Sequence, residues 1–236
     1  MDEGMRDAVA QLHGEMRECR RCLEVGHAIT PGAVFSSGRE QQVLLIGQAP
    51  GITEVTAQRP FNATSGVRLF KWLGAAGWDE TKFRECHTMT AVTKCYPGKD
   101  KSGKGDRVPS KAEQALCRPF LEREIALIRP RLIILVGGLA IKLLYPASAR
   151  LEEVIGTAVH FPPSALANPV NFRFADGRLL PATAFPSPDA IPASGRLIVP
   201  LPHPSGASLW PNKPANKARI DQAIAILSAI RQAWGL

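Results

Sequence analysis

Two short runs of unbroken apolar residues constrain this chain more than any other feature. Residues 42–48 read Gln-Val-Leu-Leu-Ile-Gly-Gln, and residues 131–137 read Arg-Leu-Ile-Ile-Leu-Val-Gly. Neither alternates with polar residues, both are too short for a buried helix, and both meet a glycine. Such runs form strands covered on both faces. Residues 87–94, where Thr and Val alternate, and residues 196–202 are two further candidate strands. Helical spacing occupies the intervals at 5–25, 65–76, 110–128, 138–145 and 215–234. Ser65 is a candidate N-cap. Ser110 followed by Glu113 has the spacing of a capping box. Apolar strands alternating with amphipathic helices predict an α/β fold around a mainly parallel sheet.

The chain has 236 residues, 45% of them apolar, enough to bury a core without disulfides. No window approaches the roughly 18 consecutive apolar residues of a membrane span. The start, Met-Asp-Glu-Gly-Met-Arg-Asp, lacks the basic and apolar regions of a signal peptide. The expectation is a cytoplasmic protein whose cysteines are thiols or metal ligands. There is no internal repeat. The Pro-, Ala- and Ser-rich stretch at about 146–195 is expected to be a loop-rich insertion with room for a hairpin, within a single domain spanning 1–236. The formal net charge is +8, a modest pointer to a polyanionic partner. Its distribution says more. Residues 94–111 hold six basic residues against two acids, and Lys213, Lys217 and Arg219 follow the last candidate strand.

Five cysteines are present. Cys19 and Cys22 form a C-x-x-C pair, Cys95 ends a candidate strand, and Cys117 lies within the next helix. Cys86 is left over. Four thiolates from separated segments suit zinc or a [4Fe–4S] cluster, and spacing does not distinguish the two. The competing reading is five buried small hydrophobes.

Gly47-Gln48-Ala49-Pro50-Gly51 follows the first strand directly, and His203-Pro204-Ser205 follows the last. In open α/β sheets, ligands bind at the carboxyl ends of the strands. Neither glycine-rich phosphate-binding pattern is matched. Glu54 and Arg59-Pro60-Phe61 come next after the first turn. Phe61 is either a core residue or a stacking platform for a planar ligand.

Taken together, these motifs resemble the iron–sulfur uracil-DNA glycosylases of the family 4 type. That family has a Gly-Glu-Ala-Pro-Gly turn, an acidic residue, Arg-Pro-Phe and a late His-Pro-Ser. Thr90-Ala91-Val92-Thr93-Lys94-Cys95 resembles its Thr-Asn-Val-Val-Lys-Cys, and Cys117-Arg118-Pro119-Phe120-Leu121 its Cys-Arg-Pro-Tyr-Leu. The resemblance covers about residues 10–145 and 196–234. It implies a three-layer α/β/α sandwich with a central four-stranded sheet. It also implies one [4Fe–4S] cluster on Cys19, Cys22, Cys95 and Cys117, and no catalytic metal or nucleotide cofactor. The expected partner is uracil-containing DNA, bound by a monomer with no membrane association.

The chain departs from the family pattern at informative places. Gln48 stands where family 4 has Glu, and Ala49 stands where family 1 has Asp. Ala91 replaces the Asn that reads the uracil edge, and Ala207 falls where family 1 has a wedge leucine. The Cys95–Cys117 loop is longer than usual and lacks the run with which some relatives crosslink to their product. The resemblance implies His203 as hydrogen-bond donor to uracil O2, since that oxygen gains negative charge as the glycosidic bond breaks. Glu54 is the expected carboxylate for the attacking water, with Gln48 as an alternative that only positions it. Phe61 would stack on the flipped base, and the backbone at Gln48 and Ala49 would meet its edge. Asn62 or His87 would take over the specificity role lost at Ala91. Ser65 and Ser205, with Lys99, Lys101, Lys104 and Arg107, are candidate phosphate contacts. Leu209 or Trp210 would fill the gap in the base stack, unless Trp210 is a core residue. The competing functions are a glycosylase for another deaminated base and a non-catalytic iron–sulfur DNA-binding protein.

Overall fold

The computed structural model describes residues 3–103, 105–168, 173–206 and 209–236. The chain begins with α1 (Glu3–Glu18) and a single turn, α2 (Arg21–Glu24). Strand β1 (Val43–Gly47) is followed by α3 (Ile52–Ala57), α4 (Thr64–Ala75) and α5 (Glu80–Cys86). Then come β2 (Thr88–Ala91), α6 (Lys111–Ile128), β3 (Leu132–Val136) and α7 (Gly138–Ile141). Next are α8 (Leu151–Val154), β4 (Thr157–Phe161), β5 (Arg178–Pro181), β6 (Arg196–Leu201) and α9 (Pro214–Trp234). Among the described residues no helix is long and apolar enough to cross a membrane.

The fold is α/β, as the strand pattern predicts. Strands β2, β1, β3 and β6 are parallel neighbours in that order, and β1, β3 and β6 are buried along their whole length. Among the described residues the expected count of four strands is corrected to six. Strands β4 and β5, both from the 146–195 stretch, pair antiparallel and extend the sheet beyond β6, in the order β2-β1-β3-β6-β4-β5. That stretch is therefore part of the sheet and not only loops. β5 escapes a sequence reading because it is four residues long and mostly exposed. Its pairing is decided by the free edge of β4.

Ser110 caps α6 as predicted. Its side chain accepts the Glu113 N–H at 3.2 Å, and Glu113 accepts the Ser110 N–H at 2.6 Å. The helix expected near 65–76 begins one residue early, with Ala63 and not Ser65 at its N-cap. Helix α5 was not expected. Asp79 caps it by accepting the Lys82 N–H at 2.9 Å.

A buried ionic cluster joins three elements beneath the site. Lys94 Nζ donates to Glu124 of α6 at 2.5 Å, to Thr90 Oγ1 of β2 at 2.6 Å and to the Ala91 carbonyl at 2.8 Å. His13 of α1 lies 3.5 Å from the other Glu124 oxygen. The Lys94 and Glu124 side chains are 2% and 0% exposed, so neither charge is hydrated. Burial works against ionisation of Glu124, but Lys94 and His13 outweigh it and hold the carboxyl below its ordinary pKa. Removing one member strands the other in an apolar interior, which costs about 3–5 kcal/mol, whereas replacing both with apolar groups is often neutral. Lys94→Met alone is therefore expected to destabilise the chain strongly in urea denaturation. Adding Glu124→Leu should recover most of that loss.

Candidate active site and cysteine pocket

The carboxyl ends of β1, β2, β3 and β6 lie at one edge of the sheet, with Gly47 beside Ala91 and Val136 beside Leu201. A cavity of about 630 Å³ opens there. Gln48, Ala49, Glu54, Phe61, Ser65, Ala91, His203 and Ser205 line it, so residues far apart in sequence converge as predicted. Asn62 and His87 do not. The Asn62 side chain is exposed and outside the cavity wall. His87 caps the C-terminus of α5, at the opposite end of β2. It is packed against the Phe83 ring, and burial pushes its pKa down to about 4. These two are corrected as specificity candidates.

Phe61 is held from both sides. Its backbone is left-handed, with φ 51°. Its N–H donates to Glu54 Oε1, and its carbonyl accepts Arg84 Nη2 at 3.0 Å. Arg84 also grips the Pro60 carbonyl at 2.8 Å. The ring lies so close to β1 that a Cβ on Gly47 would stand 3.0 Å from Phe61 Cζ. Glycine at 47 is thus a condition of the platform.

Glu54 is bonded on both oxygens. Its Oε2 accepts the Gly51 N–H at 2.5 Å while Oε1 accepts the Phe61 N–H, so both oxygens are engaged by backbone donors. Burial raises its pKa, although bonds from Gly51, Phe61 and Asn62 favour the ionised form. This carboxyl fastens the turn to the platform.

His203 is neutral and its tautomer is set. Burial lowers its pKa below the ordinary value of 6.5. The Ser205 N–H donates to Nδ1 at 3.2 Å, which places the proton on Nε2. Arg68 of α4 grips the Ser205 carbonyl at 3.3 Å, tying the turn to the cavity wall. Gly137, with φ 90°, leaves room for the imidazole, since a Cβ there would stand 3.0 Å from His203 Cδ2.

The basic loop folds back over the same cavity. Lys99 bridges to Asp106, and both line the wall with Asp100. Asp106, Arg84 and Arg68 were not anticipated. Nothing local marks them, because the first belongs to a loop read for its positive charge and the others sit on helices. Lys101 is exposed, and Lys104 lies outside the described residues. Arg107 is corrected as a phosphate contact. Its guanidinium is bidentate to Glu113, at 2.7 and 2.5 Å, and donates to the Ala28 carbonyl. Leu209 is 74% exposed. Trp210 is corrected as a wedge, since it packs on the core and donates to Glu152 at 2.7 Å. Ala207 lies outside the described residues.

Cys19, Cys22, Cys95 and Cys117 line one pocket, walled by Met16, Ile29 and Phe120, and Cys86 lies apart from it. Burial and the neighbouring thiols push Cys95 up to about 12 and Cys22 up to about 11. The Lys94 N–H donates to Cys117 Sγ at 3.3 Å. Among the described residues no group of three His, Cys, Asp or Glu side chains is arranged to hold a single metal ion.

If Glu54 is the fastener of the platform, Glu54→Ala should free the Gly51 and Phe61 amides. The expected outcome is faster hydrogen exchange at both, and a stability loss of about 1–3 kcal/mol from the donors left unpaired. Unchanged exchange at Phe61 would contradict this role.

The pattern describing the uracil DNA glycosylase superfamily matches residues 35–228. A type-4 uracil-DNA glycosylase of Pyrobaculum aerophilum is 31% identical over 147 residues, 62% of this chain and 69% of that protein. Those of Saccharolobus solfataricus and Archaeoglobus fulgidus are 28% and 29% identical, over 65% and 60% of their own lengths. The aligned part thus spans less than two thirds of these two relatives. The superfamily pattern covers all the described strands and both turns that wall the cavity, and on that ground the chain belongs to the uracil DNA glycosylase superfamily.

Proposed function

We propose that this chain excises uracil from DNA, hydrolysing the N-glycosidic bond of deoxyuridine and leaving an abasic site. The observation that carries this reading is a neutral His203, with its proton on Nε2, in the same cavity as the clamped Phe61 ring. A base must leave the helical stack to enter such a cavity. Phe61 then offers a rigid face for stacking, and its left-handed backbone costs nothing at the moment of binding because Glu54 and Arg84 already hold it. The His203 Nε2–H donates to uracil O2 as charge develops there, and the fixed tautomer removes any need for reorganisation. Ser65, Ser205 and Leu209 are left for the DNA strand, with Lys99 and Lys101 at the rim.

The four cysteines hold a [4Fe–4S] cluster in this reading. The donor set supports it: four thiols from three segments share one pocket, and a backbone N–H is aimed at one sulfur. Burial raises the pKa values of Cys22 and Cys95, so loading a metal there would release protons. A bound cluster would tie the N-terminal segment to β2 and α6, a structural contribution. The chain acts in this reading as a single-domain cytoplasmic monomer. Purified protein should be brown, with iron and acid-labile sulfide in equal amounts, and zinc in their place would overturn the cluster.

Single-turnover cleavage of a uracil-containing oligonucleotide tests the activity. His203→Ala should slow release by about 10²–10³-fold, the usual cost of losing one such donor. Lowering the pH should not affect His203 until the medium is more acidic than the ordinary imidazole pKa of 6.5, because its own value is lower. Below that value, protonation of Nδ1 breaks the Ser205 bond and the rate should fall. Release of hypoxanthine or xanthine in place of uracil would assign another base.

A further inference from the structure

We propose that Asp106 supplies the carboxylate that acts on the attacking water, a role the first motif of this chain leaves empty. The inference rests on the uracil-excision reading. Ala49 has no carboxyl group, and the Gln48 amide cannot accept a proton near neutral pH. Both oxygens of Glu54 already accept backbone N–H groups from Gly51 and Phe61. A carboxylate that acts on the water would therefore come from elsewhere, and the long basic loop brings one.

Asp106 lines the same cavity wall as Gln48, Phe61 and His203. The loop that carries it is pinned. Lys99 and Asp106 form an antiparallel bridge, and the Arg107 N–H donates to the Gly98 carbonyl at 2.9 Å. The Arg107 guanidinium is locked on Glu113 at the start of α6. Within this frame the two carboxylate oxygens are used differently. Oδ1 accepts the Tyr96 hydroxyl at 3.1 Å and Lys99 Nζ at 3.0 Å. Oδ2 is turned toward the Gly51 turn, and a Cβ built on Gly51 would stand 3.2 Å from it. One oxygen is therefore held in place while the other faces the motif turn. The side chain is 37% exposed, so water reaches it.

The step balances as a hydrolysis. A water between Oδ2 and the sugar loses a proton to Asp106 as its oxygen bonds to C1′. The C1′–N1 bond breaks, and its electron pair leaves with uracil, whose O2 receives the His203 hydrogen bond. Asp106 then returns its proton to solvent, and the uracil anion takes one up. A positioned base of this kind contributes about 10²–10⁴-fold to rate.

The alternative is that Asp106 only pins the loop through Tyr96 and Lys99. Asp106→Asn separates the two, because the amide oxygen still accepts from Tyr96 but takes no proton. The full chain, Asp106→Asn, Asp106→Ala and Glu54→Gln are compared in single-turnover release from one uracil-containing oligonucleotide, with binding to the undamaged strand measured in parallel. The expected result is a fall of about 10²–10⁴-fold for Asp106→Asn with unchanged DNA binding. Added formate should partly restore Asp106→Ala, and Glu54→Gln should lose less than Asp106→Asn. An active parent with a near-parental Asp106→Asn rate overturns this inference and leaves uracil excision standing. So does a lost rate that follows lost DNA binding and does not respond to formate. A parent chain that releases no uracil overturns both.

Discussion

The buried pair of Lys94 and Glu124 is the interaction on which the two ends of this molecule depend. Lys94 lies between the cysteine pocket and the floor of the cavity. Its side chain bonds to β2 and α6, while its backbone N–H reaches the sulfur of Cys117. His13 brings α1 into the same cluster, and α1 leads directly to Cys19 and Cys22. A buried charge pair is a poor source of stability, because desolvation consumes most of the attraction. Its effect is better described as register. The cluster brings α1, α6 and β2 together beside the cysteine pocket and leaves the Ala91 carbonyl capped beneath the cavity.

The cavity above shows the same economy of freedom. Its two most specific groups, the Phe61 ring and the His203 imidazole, are both fixed through contacts that involve backbone atoms. Glu54 and Arg84 hold Phe61, while the Ser205 N–H and the open space at Gly137 hold His203. Electrostatic stabilisation of a developing charge depends on donors that do not reorganise during the reaction. A glutamate in the motif can thus matter to the site through geometry alone. That changes how the motif should be read, because an acidic residue at a turn is easily taken for a proton carrier when it is a fastener.

The long loop between Cys95 and Cys117 changes meaning in the structure. By composition it is a basic segment suited to a DNA backbone. In the fold its positive charges are partly engaged. Arg107 is bound to Glu113, and Lys99 to Asp106. The segment delivers an acid to the cavity as well as a positive rim. A chain lacking the usual carboxylates in its first turn carries one on a loop that folds back over the same place.

The sequence by itself determined the parallel heart of the sheet, the capped helix α6 and the meeting of the two turns. Each of these is local or periodic: unbroken apolar runs, a Ser-x-x-Glu spacing, and the rule that parallel strands share a carboxyl edge. The shared pocket of four cysteines followed from motif resemblance. Only the tertiary structure decided the rest. Strand β5 exists because an edge of β4 is free to pair. Asn62 and His87 leave the site because one faces outward and the other sits at the far end of β2, and Trp210 packs on the core with its indole N–H bonded to Glu152. Glu54 and Asp106 are both acids near a glycine turn, but only Glu54 is engaged locally, by the N–H groups of Gly51 and Phe61 three and seven residues away. Asp106 reaches the same cavity only because a loop some 50 residues downstream comes to rest there, and such long-range placement leaves no periodic trace in a sequence.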